Sequence, residues 1–270
     1  VSRLEGHVLT PLGVVDGWVE ADAQGRVARV EGRVPGSAPS GEVGFPLILP
    51  GFIDLHVHGG GGADLMEGGP AVGQVARFHA RTGTTSLLAT TVTAPPADLE
   101  WSLRELGPAL TTRTPGGSRI LGVHLEGPFL SPHRLGAQPD HARPLDPGEL
   151  ARLQALAPIR LITLAPEFPS NRAAIRDLRA QGIRVQLGHT DATYEEAVEA
   201  LAQGASGFTH LFNAMSGLHH RKPGVVGAAL AQATFAEIIP DLLHVHPGAI
   251  KAALRAIPGL YCVTDATAAA

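Results

Sequence analysis

A single cysteine, Cys262, stands in the 270 residues. One thiol excludes an internal disulfide and any zinc site built from several thiolates, so a metal here would have to be held by imidazole and carboxylate. No apolar run approaches the roughly 18 residues that a membrane helix requires. The opening residues, Val-Ser-Arg-Leu-Glu, lack the apolar stretch of a secretory signal. Both absences lead to the expectation of a soluble cytoplasmic protein. Long basic runs are missing too, and the formal net charge is −4, which argues against a nucleic-acid backbone as the main partner. A small anionic ligand stays open, since a few local cations suffice to bind one. There is no Walker-type phosphate loop, no Gly-x-Ser-x-Gly elbow and no Cys/His nucleophile pair. Charged residues are only 17% against 44% hydrophobic, a balance that provides a sizeable core and argues against disorder.

Thirteen histidines are present, and their placement along the chain is informative. Residues 1–45 read as short strands and glycine turns (Gly13–Val15, Gly17–Glu20, Gly25–Val30), a small β-sandwich-type subdomain. The stretch Pro35–Gly44 reads as a loop. From residue 46 the pattern changes to short apolar runs alternating with helical periodicity. Strands are expected at Gly51–His58, Thr85–Thr91, Arg119–Glu126, Ile159–Ala165, Arg184–His189, Gly207–Phe212, Ala236–His244 and Leu260–Asp265. Helical stretches lie between most of them, at Ala71–Arg81, Leu99–Thr112, Asn171–Gln181, Tyr194–Gln203 and Pro247–Ile257. This order predicts an α/β fold, a (β/α)₈ TIM barrel over residues 46–270. In strand 1, Ile53, Leu55 and Val57 share one face and Asp54, His56 and His58 the other. The apolar face is expected under helices and the histidines inside.

Groups capable of metal or acid–base chemistry fall at the C-terminal ends of the expected strands: His56 and His58, Glu126, His189, His210, His244 and Asp265. Barrels of this kind carry their active sites at that rim. Residues i and i+2 of a strand point the same way, so His56 and His58 can grip one ion; with Glu126, His189 and His210 the donors suffice for one or two divalent cations. An aspartate at a strand end is often only a turn former, but beside a metal-activated water Asp265 becomes a general base and then an acid. His244 is expected to hydrogen-bond a carbonyl oxygen as charge develops on it, and His124, one pair deeper, to support the ligands. The basic run His219-His220-Arg221-Lys222 is either a solvated turn or, through Arg221, a phosphate contact.

At this point the residues resemble a known family. Pro50-Gly51-Phe52-Ile53-Asp54-Leu55-His56-Val57-His58-Gly59 is similar to the opening strand of the amidohydrolase superfamily. Leu125-Glu126-Gly127-Pro128-Phe129, Leu187-Gly188-His189-Thr190, Thr209-His210-Leu211-Phe212-Asn213-Ala214-Met215 and Val263-Thr264-Asp265-Ala266 resemble the N-acetylglucosamine-6-phosphate deacetylases within it. The resemblance implies deacetylation of a phosphosugar by a metal-activated water. It implies metal ligation by Glu126, His189 and His210, with His56 and His58 able to hold a second ion; zinc is the leading candidate and Fe²⁺ an alternative, one or two per subunit. It further implies substrate contacts at Ala137, Asn213, Ala214, Arg221 and His244, catalysis by Asp265 with His244, and a homodimer in which Arg221 reaches the neighbouring subunit. Two departures stand out: Pro240-Asp241-Leu242-Leu243-His244 where Ala-Asp-Gly-x-His is usual, and Leu135-Gly136-Ala137-Gln138 where Lys-Gly-Ala-His is usual. The family extends past strand 8, so the C-terminal part is expected to be missing. Two other readings remain open: an amidohydrolase for a different N-acyl sugar or amino acid, and a non-catalytic sugar-phosphate-binding barrel.

Overall fold

A computed structural model describes residues 2–34 and 46–270. The expected Pro35–Gly44 loop lies outside the described residues. Contacts divide the chain into two units, Val1–Phe52 and Ile53–Ala270.

The first unit holds strands β1 (Ser2–Thr10), β2 (Gly13–Ala21), β3 (Val27–Arg33) and β4 (Leu47–Ile48) in the order β3-β2-β1-β4. The first three pair antiparallel, as the alternation predicts, and β4 joins β1 in parallel. The subdomain is thus one mixed sheet among the described residues. The alternation in these strands does not specify a second layer, because it is satisfied by any face that is covered.

The second unit runs β5 (Phe52–Val57), a short hairpin of β6 (Gly59–Gly60) and β7 (Ala63–Asp64), α1 (Gly69–Arg81), β8 (Thr84–Thr90), α2 (Pro96–Thr111), β9 (Arg119–Glu126), α3 (Pro147–Leu156), β10 (Ile159–Leu164), α4 (Pro169–Ala180), β11 (Arg184–Leu187), α5 (Tyr194–Gln203), β12 (Gly207–Phe208), α6 (Gly224–Gln232), β13 (Phe235–Ile238), α7 (Pro247–Ala256) and β14 (Gly259–Cys262). Six strands form a sheet in the order β12-β11-β10-β9-β8-β5, and β13 pairs with β14 in parallel. Hydrogen bonds close the ring between these two sheets. The Leu211 N–H donates to Glu237 O at the β12–β13 seam, and on the other side Val57 bridges Ala266 while the Asp265 N–H donates to His56 O. Eight strands alternating with helices therefore close as a barrel.

Local chemistry explains the element ends. Thr193 and Glu196 form a reciprocal capping box at the start of α5, and Gly204 ends it in the left-handed conformation. Five helices begin with proline in the first turn, where its missing N–H costs nothing. The core lies between strands and helices: Leu87, Val123, Leu125, Ile162 and Leu187 pack with Leu99, Leu103, Leu153, Ile175 and Leu178. On β5 the apolar face is covered only in part, with Val57 buried, Leu55 intermediate and Ile53 exposed. No helix among the described residues is long and apolar enough to cross a membrane.

Four strands are shorter than their patterns suggest. β11 stops at Leu187, β12 at Phe208, β13 at Ile238 and β14 at Cys262. His189, His210 and Asp265 sit just beyond these ends with φ of 46°, 30° and 50°. A left-handed residue cannot continue a strand ladder, so each turns off the barrel wall where its side chain is needed. His244 lies six residues past β13, on a loop rather than on the strand.

Candidate metal centre

Glu126 ends β9 and is buried. The next residue, Gly127, has φ 76°, and a Cβ there would lie 2.1 Å from Thr93 Oγ1 and 3.0 Å from the Thr93 backbone. Only glycine fits this turn, which explains the Glu-Gly pair in the motif. His189 and His210 approach Glu126 from the ends of β11 and β12. His210 Nε2 lies 3.1 Å from Glu126 Oε1 and 2.9 Å from His189 Nε2, and His189 Nε2 is 3.3 Å from Glu126 Oε1.

A second triangle stands beside the first. His56 Nε2 and His58 Nε2 are 3.1 Å apart, and each is 3.3 Å from Asp265 Oδ1. Glu126 joins the two groups: Oε2 is 3.2 Å from His58 Nε2, and Oε1 is 3.4 Å from His56 Nε2. These separations test whether a cation fits. A tetrahedral ion with bonds of 2.0–2.1 Å holds its ligand atoms about 3.3 Å apart. Both triangles approach that spacing, and their donors are imidazole nitrogen and carboxylate oxygen, the types that suit zinc and similar ions. The residues present fit one divalent cation in each triangle, with Glu126 shared.

Electrostatics agree with a site built for positive charge. Burial favours the neutral acid of Glu126, but His56 and His189 outweigh it and hold the carboxyl well below the usual carboxylate range. Burial likewise works against the Asp265 carboxylate, yet His56 and a hydrogen bond from His58 keep its value depressed. For His58, burial opposes the imidazolium while hydrogen bonds to Asp265 and Glu126 prevail and raise it to about 9. His56 is raised well above its ordinary value, against burial, by Glu126 and Asp265. Burial pushes His124 the other way, well down, assisted by His56.

These shifts give a pH dependence for the metal-free protein. The His58 contribution is complete below its ordinary value of 6.5 and is lost as the pH rises through about 9. The contributions of Glu126 and Asp265 are present above the ordinary carboxylate range and vanish as the pH falls through their depressed values. Metal-free protein is therefore expected to melt highest near pH 6.5, because the depressed His124 withdraws stability below that value, and to lose on the order of 3 kcal/mol between pH 6.5 and 9.5. Thermal unfolding in chelator across that range is the measurement, and a flat melting temperature would contradict the assignment.

The remaining expected residues lie on loops. Gly136 is placed so that an added Cβ would meet His189 Cε1 at 3.5 Å and Ala214 Cβ at 3.6 Å, so the loop carrying Ala137 and the turn carrying Ala214 meet beside His189. Asn213 donates from its amide to His210 O at 3.3 Å. Arg221 is exposed in the turn where His219 and Lys222 bridge. His244 is exposed, its Nδ1 2.7 Å from Asp241 Oδ2. Among the described residues, no hydrogen bond or ion pair joins Arg221 or His244 to the two triangles. Leu242, standing where glycine is usual, keeps a left-handed backbone (φ 67°). His124 lies beneath His56, with ring centroids 4.6 Å apart.

Gln138, which the sequence marks only as a departure from the family pattern, and Glu237, which it does not mark, both join the site. Gln138 donates its amide to Glu126 Oε2 at 2.6 Å and accepts from the Thr93 N–H at 2.7 Å. Glu237, fully buried on β13, lies 3.1 Å from His56 Nδ1. A glutamate inside an apolar strand, Phe235-Ala236-Glu237-Ile238, was the signal available for the second. A cavity of about 530 Å³ elsewhere is lined by Arg179, Arg184 and Phe235 among others, and by none of these residues.

A parallel α/β barrel with imidazoles and a shared carboxylate converging at the strand ends is the architecture of a metal-dependent hydrolase. The chain belongs to the amidohydrolase family, whose model matches residues 47–253. Among similar proteins, N-acetylgalactosamine-6-phosphate deacetylase of Escherichia coli O157:H7 is 38% identical over 270 residues, covering 98% of this chain and 71% of that protein. N-acetylglucosamine-6-phosphate deacetylase of Bacillus subtilis is 40% identical over 248 residues, covering 86% of this chain and 61% of that one. The fold is similar to a variant of N-acetyl-D-glucosamine-6-phosphate deacetylase from Mycobacterium smegmatis in complex with N-acetyl-D-glucosamine-6-phosphate. That match has a TM-score of 0.85 at 34% identity and covers 99% of this chain and 71% of the other. The chain thus spans about three fifths to seven tenths of the length of these relatives.

Proposed function

We propose that this chain carries the catalytic residues for hydrolysis of the acetamido group of an N-acetylhexosamine 6-phosphate, with N-acetyl-D-glucosamine 6-phosphate as the leading substrate. The observation that supports this most is Glu126 facing both histidine groups, with Asp265 at their edge. Glu126, His189 and His210 would hold a divalent cation, zinc foremost and Fe²⁺ as the alternative, and His56, His58 and Asp265 a second. Such a cation lowers the pKa of water and polarises a carbonyl.

The protein's own groups then move the protons. Asp265 takes the proton from the attacking water as its oxygen bonds to the acetyl carbon. It delivers that proton to the nitrogen as the carbon–nitrogen bond breaks, releasing acetate and the amine. His244, whose Nδ1–H is held by the Asp241 carboxylate, donates to the carbonyl oxygen from Nε2 in its doubly protonated form. Ala137, Asn213 and Ala214 line the sugar, and Arg221 reads the phosphate, from one subunit of a homodimer into the next.

Acetate release from the two 6-phosphosugars and from unphosphorylated N-acetylglucosamine tests the reading. Equal turnover of the unphosphorylated sugar would move the assignment to another amidohydrolase; metal-loaded protein that binds 6-phosphosugar without releasing acetate would favour a sensor. A galactosamine substrate is the second reading, favoured by the alignment of nearly the whole chain with a relative of that name and by the altered Leu242 and Gln138 positions. Arg221→Ala is expected to raise KM for a phosphorylated substrate roughly 10- to 100-fold, the equivalent of a charge-assisted hydrogen bond, with kcat little changed. An unchanged KM would remove Arg221 from the phosphate site.

A further inference from the structure

The His56 ring has two different sides. Its Nε2 faces His58, Asp265 and Glu126, whereas its Nδ1 faces Glu237 Oε2 at 3.1 Å. A carboxylate only accepts, so His56 Nδ1 keeps the proton of this bond, which leaves Nε2 as the nitrogen that would give its lone pair to a cation in the second triangle. The other imidazoles differ in this respect. His189 donates from Nδ1 to the Arg134 carbonyl at 2.8 Å, but the Nδ1 atoms of His58 and His210 are buried without a partner. Each triangle therefore has one histidine oriented from behind: His189 by a carbonyl, His56 by Glu237.

Glu237 is itself held on several sides. Its Oε2 also accepts from the His210 backbone N–H at 3.3 Å, and its Oε1 accepts from the Tyr261 hydroxyl at 3.2 Å. The Tyr261 oxygen accepts from the Gln186 amide, whose own oxygen accepts from Thr209 at 3.0 Å; Thr209 meets Thr163 at 2.8 Å, and Thr163 meets His124 Nε2 at 2.7 Å. This belt of buried and part-buried hydrogen bonds links β9, β10, β11, β13 and β14 behind the histidines. His56, His124 and Glu237 lie close enough together to suggest a further cation site. Yet Glu237 already engages His56, and both nitrogens of His124 are placed against oxygens, Thr163 Oγ1 and the Leu55 carbonyl at 3.2 Å. The group reads better as support than as a third site.

We propose that Glu237 is a positioning residue that sets the affinity of the second cation position by fixing the tautomer and orientation of His56. The proposal rests on the reading that His56, His58 and Asp265 hold a cation. Groups standing behind a metal-bound histidine commonly change metal affinity 10- to 100-fold.

The test is equilibrium dialysis of the purified protein against Zn²⁺ buffers, with bound zinc counted per chain. Wild type is expected to take up two ions in two steps. Glu237→Gln, which keeps the volume but removes the carboxylate, is expected to weaken the second step about tenfold and leave the first within about twofold. Glu237→Asp, whose carboxylate is drawn back from His56, should shift the second step in the same direction and serves if the glutamine variant does not fold. Two steps with unchanged affinities in a folded variant would overturn the proposal alone. A wild-type chain that saturates at one ion would overturn the two-cation reading, and this proposal with it.

Discussion

Replacing Asp265 by asparagine is expected to lower kcat by about three orders of magnitude while at least one ion stays bound. Asparagine has nearly the same shape, and its amide neither takes a proton from water nor returns one to nitrogen. Loss of a positioned acid–base group typically costs 10²–10⁴ in rate. The structure sharpens the expected metal content. Asp265 touches His56 and His58 at 3.3 Å but is absent from the triangle of Glu126, His189 and His210. Zinc at that triangle should therefore persist in the variant, whereas zinc beside His56 and His58 should weaken. Steady-state acetate release together with metal analysis separates the two effects. Near-normal turnover would eliminate Asp265 as the acid–base group, and complete loss of metal would mean that the two triangles are not separable.

Glu126→Gln is expected to be more damaging, because one carboxylate serves both sets of histidines. Its Oε1 faces His189 and His210, and its Oε2 faces His58. A glutamine supplies one neutral carbonyl oxygen and turns an amide N–H towards the other set. Metal content should fall below about a tenth of wild type, and activity by at least about 10³-fold, since cation and water activation are lost together. The variant should still fold in chelator, because its side chain keeps the same volume between β9 and its neighbours. Stoichiometric zinc in a folded Glu126→Gln protein would show that Glu126 is not the shared ligand.

Much of the fold was legible in the chain. Arg119–Glu126 and Tyr194–Gln203 agree residue for residue with β9 and α5, because the first alternates cleanly and the second begins with a capping box and ends at glycine. α6 was not read. Its sequence, Gly-Val-Val-Gly-Ala-Ala-Leu-Ala-Gln, is buried along most of its length, so it lacks the polar stripe that gives a helix its period. α3 was also passed over, although Asp146 and Pro147 are a helix-start signal, its side chain capping the Glu149 N–H at 2.7 Å. Three of the four overextended strands, β11, β12 and β14, share one cause. Apolar or polar identity carries no mark of the left-handed turns at His189, His210 and Asp265, which end the ladder.

The sequence alone determined which atoms are available: one thiol, many imidazoles, and short motifs that place His56, His58, Glu126, His189, His210 and Asp265 at successive strand ends. Local periodicity is enough for His56, His58 and Glu126, because side-chain direction in a strand follows from its period of two, whereas His189, His210 and Asp265 stand in left-handed turns past the strand ends. Only the tertiary structure decided the distances between strands far apart in the chain. It brought Glu126 between two histidine pairs, set Asp265 against His56 and His58, and seated Glu237 against His56 and Gln138 against Glu126. Such contacts join residues up to 210 positions apart, and they depend on how the barrel closes, which no local pattern records.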